Sequence, residues 1–188
     1  MIIIDDIKDF IAREKSHALT IGNFDGVHLG HQILFTKAKA LSKHLIAVTF
    51  SNHTTDIFVP RKKIKKICSL QDRLERLKYF GVDTALVLPF TQNLACKTAL
   101  EFLRFLKRKI PFNHLVLGEN AKVGSDQISG KDSFAPLEKI LQFHYHAIPL
   151  LQNENIPISS SLIRSLFKQG RKEEAHNLLG YAKNTAVE

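Results

Sequence analysis

The chain predicts an α/β fold, a parallel sheet with helices on both faces. Three observations carry that expectation. Short apolar, β-branched runs alternate with amphipathic stretches along most of the sequence. Glycine-containing or polar segments follow the runs, at 22–31, 51–60, 118–130 and 156–164. A parallel sheet opens its ligand crevice there, beyond the C-terminal strand ends. The 188 residues, 44% of them hydrophobic, are enough for one full core.

The first strand is expected at 18–21 and is followed by a helix at 29–42, then by a strand at 45–50. The helix at 69–80 is the best marked. Ser69 and Asp72 form a capping box, Gly81 ends the helix, and Leu70, Leu74, Leu77 and Phe80 make its buried stripe. Next come a strand at 84–88 and a helix at 98–109, whose stripe is Leu100, Leu103 and Leu106. A strand at 114–117, a helix at 134–143 and a strand at 147–150 complete the alternation. A last helix follows the serines at 159–161 and runs to about Gln169, where Gly170 stops it. His144-Tyr145-His146 and Arg171-Lys172-Glu173-Glu174 read as surface or helix-end features. No internal repeat or interdomain linker interrupts the pattern.

Lys and Arg number 27 against 18 Asp and Glu, a net charge of +9. Such a surface attracts polyanions, ATP and phosphorylated cofactors as well as nucleic acid. The densest basic cluster, Arg61-Lys62-Lys63-Ile64-Lys65-Lys66, lacks the aromatics of a single-strand stacking platform and reads as a solvated loop. Neither a nucleic acid nor a membrane is therefore an expected partner. The isoleucines at 2–4 run straight into Asp5 and Asp6, and no apolar run is long enough for a bilayer. Cys68 and Cys96 stand alone, without metal-ligand spacing, as two free thiols of a reduced cytoplasmic protein. Oligomeric state leaves no mark in the pattern.

The chemistry concentrates in Ile21-Gly22-Asn23-Phe24-Asp25-Gly26-Val27-His28-Leu29-Gly30-His31. Three glycines and two histidines fall where a strand becomes a helix. Bare glycine backbone and unpaired helix N–H groups there favour a phosphate. His28 and His31, three apart, share one face of the first turn. Two local ligands without Cys or Glu are too few for a metal site. No Walker A and no Gly-x-Gly-x-x-Gly sequence occurs, which disfavours P-loop chemistry and ordinary dinucleotide binding. A second constellation, Ile158-Ser159-Ser160-Ser161-Leu162-Ile163-Arg164, supplies an N-cap, hydroxyls and a guanidinium at the same sheet edge. His53, after the strand ending at Phe50, and the segment from Gly118 to Gly124 with Asn120 are further crevice candidates.

In order and spacing these pieces resemble the N-terminal FMN adenylyltransferase module of the bacterial bifunctional riboflavin kinase/FAD synthetase family. The similarity runs from Leu19 through Gln32, then Thr49-Phe50 with His53, then Tyr79-Phe80-Gly81-Val82-Asp83. It continues in Val116-Leu117-Gly118-Glu119-Asn120 with Gly124, in the serine–arginine segment, and in Gly170 to Ala175 with Leu178-Leu179-Gly180. The resemblance implies a Rossmann-like nucleotidyltransferase fold over 1–188, without the riboflavin kinase domain. It implies AMP transfer from ATP to FMN, giving FAD and pyrophosphate, with Mg²⁺ held mainly by phosphate oxygens and by no protein ligand. It assigns His28, His31 and Arg164 to catalysis, and Gly22, Phe24, Asp25, Gly30, Ser160 and Ser161 to ATP. His53 and Asn120 fall near the FMN phosphate and ring. Two departures stand out: Asn52-His53-Thr54 replaces the family's Pro-His-Pro, and Ala121-Lys122-Val123-Gly124 replaces its Phe-Arg-Phe-Gly. They leave open another phosphorylated acceptor, or a domain that binds flavin nucleotide without turnover.

Overall fold

Six strands pair side by side in the order β1-β4-β3-β2-β5-β6, every neighbour parallel. They are β1 (Ile2–Ile4), β2 (His17–Ile21), β3 (Leu45–Phe50), β4 (Thr84–Leu88), β5 (Phe112–Gly118) and β6 (His144–Ile148). The computed structural model describes residues 1–12, 16–58 and 64–181. Of the basic cluster, positions 61–63 lie outside the described residues.

Parallel strands need crossovers, and helices supply them. α1 (Leu29–Leu41) joins β2 to β3; α2 (Thr55–Phe58) and α3 (Leu70–Tyr79) lead to β4; α4 (Gln92–Ala95) and α5 (Ala99–Lys107) lead to β5; α6 (Lys131–Leu141) leads to β6. A short antiparallel pair, β7 (Gln152–Asn153) and β8 (Ile156–Pro157), precedes the closing helices α7 (Ser160–Lys168) and α8 (Lys172–Leu179).

The two sheet faces are built differently. Leu19, Ile46, Val48, Leu86, Leu115 and Leu117 meet α5 and α6 through Phe102, Leu103, Leu106, Phe134 and Leu137. The other face offers Ala18, Ala47 and Ala85 to α1 and α3, where Leu34, Phe35, Leu74 and Leu77 fill the space that small residues leave. A third cluster joins α7 to α8 through Ile163, Leu166, Ala175, Leu178 and Leu179.

The expected capping box is present: the Ser69 hydroxyl accepts from the Asp72 N–H and the Asp72 carboxylate from the Ser69 N–H. A second box, Thr98 with Glu101, starts α5. The last strand differs from expectation. It covers His144–Ile148 rather than 147–150, so His144, Tyr145 and His146 are strand residues. Tyr145 is buried on one face of this edge strand with the histidines on the other, and that polar alternation hid it. Arg171-Lys172-Glu173-Glu174 opens a whole helix, α8, buried through Ala175, Leu178 and Leu179. α6 starts at Lys131, ahead of the expected 134, with Gly130 as N-cap and Pro136 inside it. Both cysteines are free, Cys68 buried and Cys96 exposed.

β2 lies between β3 and β5, so the chain leaves it in one direction and returns on its other side. That reversal opens a crevice beyond the C-terminal ends of β2 and β5. The 119–130 loop closes one flank of it, pinned to the start of α5 by Ser125 N–H to Lys97 O (2.8 Å) and Ala99 N–H to the Asp126 carboxylate (2.8 Å). Gly124 makes this fit possible: its φ is +78°, and an added Cβ would lie 2.1 Å from the Ala99 nitrogen. Gly124→Ala should therefore lower the free energy of unfolding in urea by roughly 1–3 kcal/mol.

Candidate active site

The turn from β2 into α1 is folded against its own preferences. Phe24 and Val27 adopt φ of 48° and 44°, conformations that β-branched and bulky side chains rarely take. Burial and ring contacts hold them there. The Phe24 ring packs edge-on against Phe35 at 5.3 Å and His31 at 5.2 Å, and Val27 is fully buried. Gly22 leaves room for this ring, since a Cβ there would approach it to 3.0 Å.

Asp25 anchors the turn. One carboxylate oxygen accepts from the backbone of Ile67 and Cys68, at 3.0 and 3.3 Å; the other accepts from Arg164 Nη1 at 2.7 Å. Its side chain is 2% exposed and that of Arg164 20%, so the ion pair is shielded from solvent. The Ser160 hydroxyl donates to the Asp25 carbonyl at 2.8 Å, and the Ser161 hydroxyl accepts from Arg164 Nη2 at 3.2 Å. Ser159, not Ser160 or Ser161, caps α7 by accepting from the Leu162 N–H. The histidine turn and the serine–arginine segment are thus in direct contact.

The His28 and His31 rings stack, centroids 3.7 Å apart with 23° between planes. Gly30 permits this, because a Cβ there would lie 3.2 Å from the His28 ring. Burial disfavours the imidazolium and pushes the His28 pKa down to about 4, with Arg164 adding to the shift and Asp25 opposing it. Burial, and then His28, hold His31 well below the ordinary histidine range. Both rings are neutral at physiological pH. The Nδ1 atom of each is buried without a hydrogen-bond partner among the described residues.

Around them lies a cavity of about 450 Å³, lined among others by Gly22, Phe24, Asp25, His28, Gly30, His31, His53, Asn120, Ser159, Ser160, Ser161 and Arg164. The N-termini of α1 and α7 both open on it, and the first-turn N–H groups of a helix have no intrahelical acceptor. His53 hydrogen-bonds the Thr55 hydroxyl at 2.6 Å, and burial lowers its pKa. Every predicted site residue therefore lines one cavity.

A second cavity of about 290 Å³ adjoins it, sharing Ile21, Gly22, Asn23 and Ala121. Its walls include Phe50, Phe58, Phe90, Phe102, Lys97 and Val123. Phe90 stands edge-on to Phe50 at 5.1 Å and tilted to Phe58 at 5.5 Å. Sequence reasoning missed this aromatic wall. A signal existed: Phe90 stands two residues beyond the C-terminal end of β4, at the same sheet edge as the other crevice segments. His53 and Asn120 line the histidine cavity and not this one.

Residues 10–162 match the family model for FAD synthetase. The chain belongs to that family. Membership makes it a nucleotidyltransferase that forms FAD. It is 30% identical over 171 residues to the FAD synthetase of Listeria monocytogenes, covering 89% of this chain and 70% of that one. Against the bifunctional riboflavin kinase/FMN adenylyltransferase of Buchnera aphidicola from Schizaphis graminum, identity is 25% and the chain spans 60% of the relative. Among solved structures, a Streptococcus pneumoniae protein described as a macrolide-efflux protein superposes with a TM-score of 0.82 at 28% identity, over 95% of this chain and 61% of that one. The pantoate-beta-alanine ligase of Francisella tularensis shares the fold, with a TM-score of 0.59 at 19% identity over 96% and 85% of the two chains. The likeness is one of fold, a parallel α/β sheet covered by helices.

The buried histidines have a consequence for stability. Between pH 6.5 and about 4 an unfolded His28 binds a proton that the folded one refuses, so stability falls as pH drops through that window. The loss should reach roughly 2–4 kcal/mol, and His28→Phe should flatten the pH dependence of urea unfolding.

Proposed function

We propose that the chain transfers AMP from ATP to FMN across the junction of the two cavities, with residues 1–188 acting as one nucleotidyltransferase unit. One observation carries this reading. Two groups suited to a polyanion, the imidazole pair at the start of α1 and Arg164 with the start of α7, face a single cavity that shares Gly22 and Asn23 with an adjoining aromatic one.

ATP phosphates occupy the histidine cavity. Neutral His28 and His31 offer ring N–H groups, and a polyphosphate beside them favours protonation of rings that are otherwise uncharged. Arg164, Ser160, Ser161 and the first-turn amides of α7 meet the polyphosphate from the other side. Gly22, Phe24, Asp25 and Gly30 shape the turn around it.

The planar ring of FMN fits the aromatic cavity against Phe58 and Phe90, which supply the stacking surfaces that Ala121 and Val123 lack. Its phosphate then points past Gly22 toward His53 and Asn120. An oxygen of that phosphate attacks the α-phosphorus in line; the bond to the β-phosphate oxygen breaks, and pyrophosphate leaves. The nucleophile is anionic at neutral pH, so no base need take a proton. Catalysis rests on aligning two mutually repelling anions and stabilising charge on the transferring group.

Asp25 is the one carboxylate lining the histidine cavity among the described residues, and both its oxygens are already engaged. The donor set therefore does not fit a protein-held metal, and Mg²⁺ arrives on the phosphate oxygens of ATP.

Incubation with Mg-ATP and FMN should yield FAD and pyrophosphate, resolved by chromatography; flavin binding without pyrophosphate release would reject the reading. His31→Ala should lower turnover by roughly 10²- to 10³-fold, the loss usual for one preorganised donor. Phe90→Ala should raise the KM for FMN about tenfold while leaving the KM for ATP unchanged.

A further inference from the structure

Three consecutive carbonyls of the histidine turn are each taken up by a side chain. Asp25 O accepts from the Ser160 hydroxyl at 2.8 Å, Gly26 O from the Tyr181 hydroxyl at 2.8 Å, and Val27 O from Gln32 Nε2 at 2.9 Å. The same Gln32 nitrogen donates to Leu179 O at 2.8 Å, so one carboxamide spans the turn and the end of α8. Gly180 closes the joint: its φ is +71°, and an added Cβ would lie 2.3 Å from Leu29 Cδ2, at the first residue of α1. Tyr181 is itself seated, with the Arg76 guanidinium 4.4 Å over its ring. Burial pushes its pKa up, which keeps the hydroxyl a donor. Gly26 and Val27 do not line the phosphate cavity, although Asp25 and His28 on either side of them do.

We propose that Gln32 and Tyr181 are positioning residues of the adenylyl-transfer site. By holding the Val27 and Gly26 carbonyls away from the polyphosphate and tying the strained turn to α8, they fix the first turn of α1 and the His28–His31 stack that it carries. The proposal rests on the adenylyl-transfer reading. It extends the site to residues 179–181, beyond the 10–162 segment that matches the family model.

The physical case is one of orientation. A carbonyl turned toward a triphosphate would present its negative end to negative charge, and a left-handed valine has neighbouring conformations that rotate it there. Ordinary packing would need neither two donors from one carboxamide nor a hydroxyl placed on the adjacent carbonyl.

Gln32→Met keeps the length of the side chain and removes both donors; Tyr181→Phe removes only a hydroxyl and leaves the ring under Arg76. In each variant kcat for FAD formation should fall about ten- to a hundredfold with the KM for FMN unchanged, the size of loss that small misplacement causes. The midpoint of thermal unfolding should stay well above the assay temperature, and the ring signals of His28 and His31 in NMR spectra should shift. A kcat within a factor of about two of the parent would overturn the proposal, as would unmoved imidazole signals or activity lost only in step with unfolding. Should the parent protein itself make no FAD, the reaction assignment fails separately. The imidazole shifts and the ATP affinity of the two variants, measured by titration, then decide the clasp on their own.

Discussion

The ion pair between Asp25 and Arg164 is the constraint on which the molecule's working end depends. A carboxylate buried this deeply costs several kcal/mol in lost hydration, and only a full set of partners offsets it. Arg164 and the amides of Ile67 and Cys68 supply that set from two distant parts of the chain. The pair draws α7 onto the β2–α1 turn. It also aims the guanidinium at the cavity that the turn encloses.

The sheet makes the crevice, and burial gives it its character. β2, between β3 and β5, opens the strand ends, while alanines on one face let α1 approach closely enough to deliver its N-terminus there. Stacked on each other, with Phe24 edge-on to His31, the two imidazoles are buried and neutral. A low local dielectric would strengthen the contacts with phosphate proposed for them.

Much of this was legible beforehand. Spacing alone put His28 and His31 on one face, and their rings do stack. The capping box at Ser69 and the glycine stops at Gly81 and Gly170 depend on neighbours a few residues apart, so local chemistry sufficed for them. The elements that escaped are those whose pattern is partial. β1 is three residues on a sheet edge; β6 buries Tyr145 while its histidines look polar; α8 begins with three charged residues before its apolar stripe. The aromatic cavity escaped for another reason. Phe50, Phe58, Phe90 and Phe102 come from four separate segments, and no spacing rule links them.

The sequence determined the alternation of strands and helices, the strand-to-helix turn with its glycines and paired histidines, and the serine–arginine segment that meets it. These are properties of short stretches, set by side-chain periodicity, capping and glycine geometry. Tertiary structure decided which groups are charged and which carbonyls face away. It turned Asp25 to Arg164, buried the histidines, and brought Tyr181 back to Gly26 across 155 positions. Charge state and peptide orientation follow from what surrounds a group in space, which only the closed fold supplies.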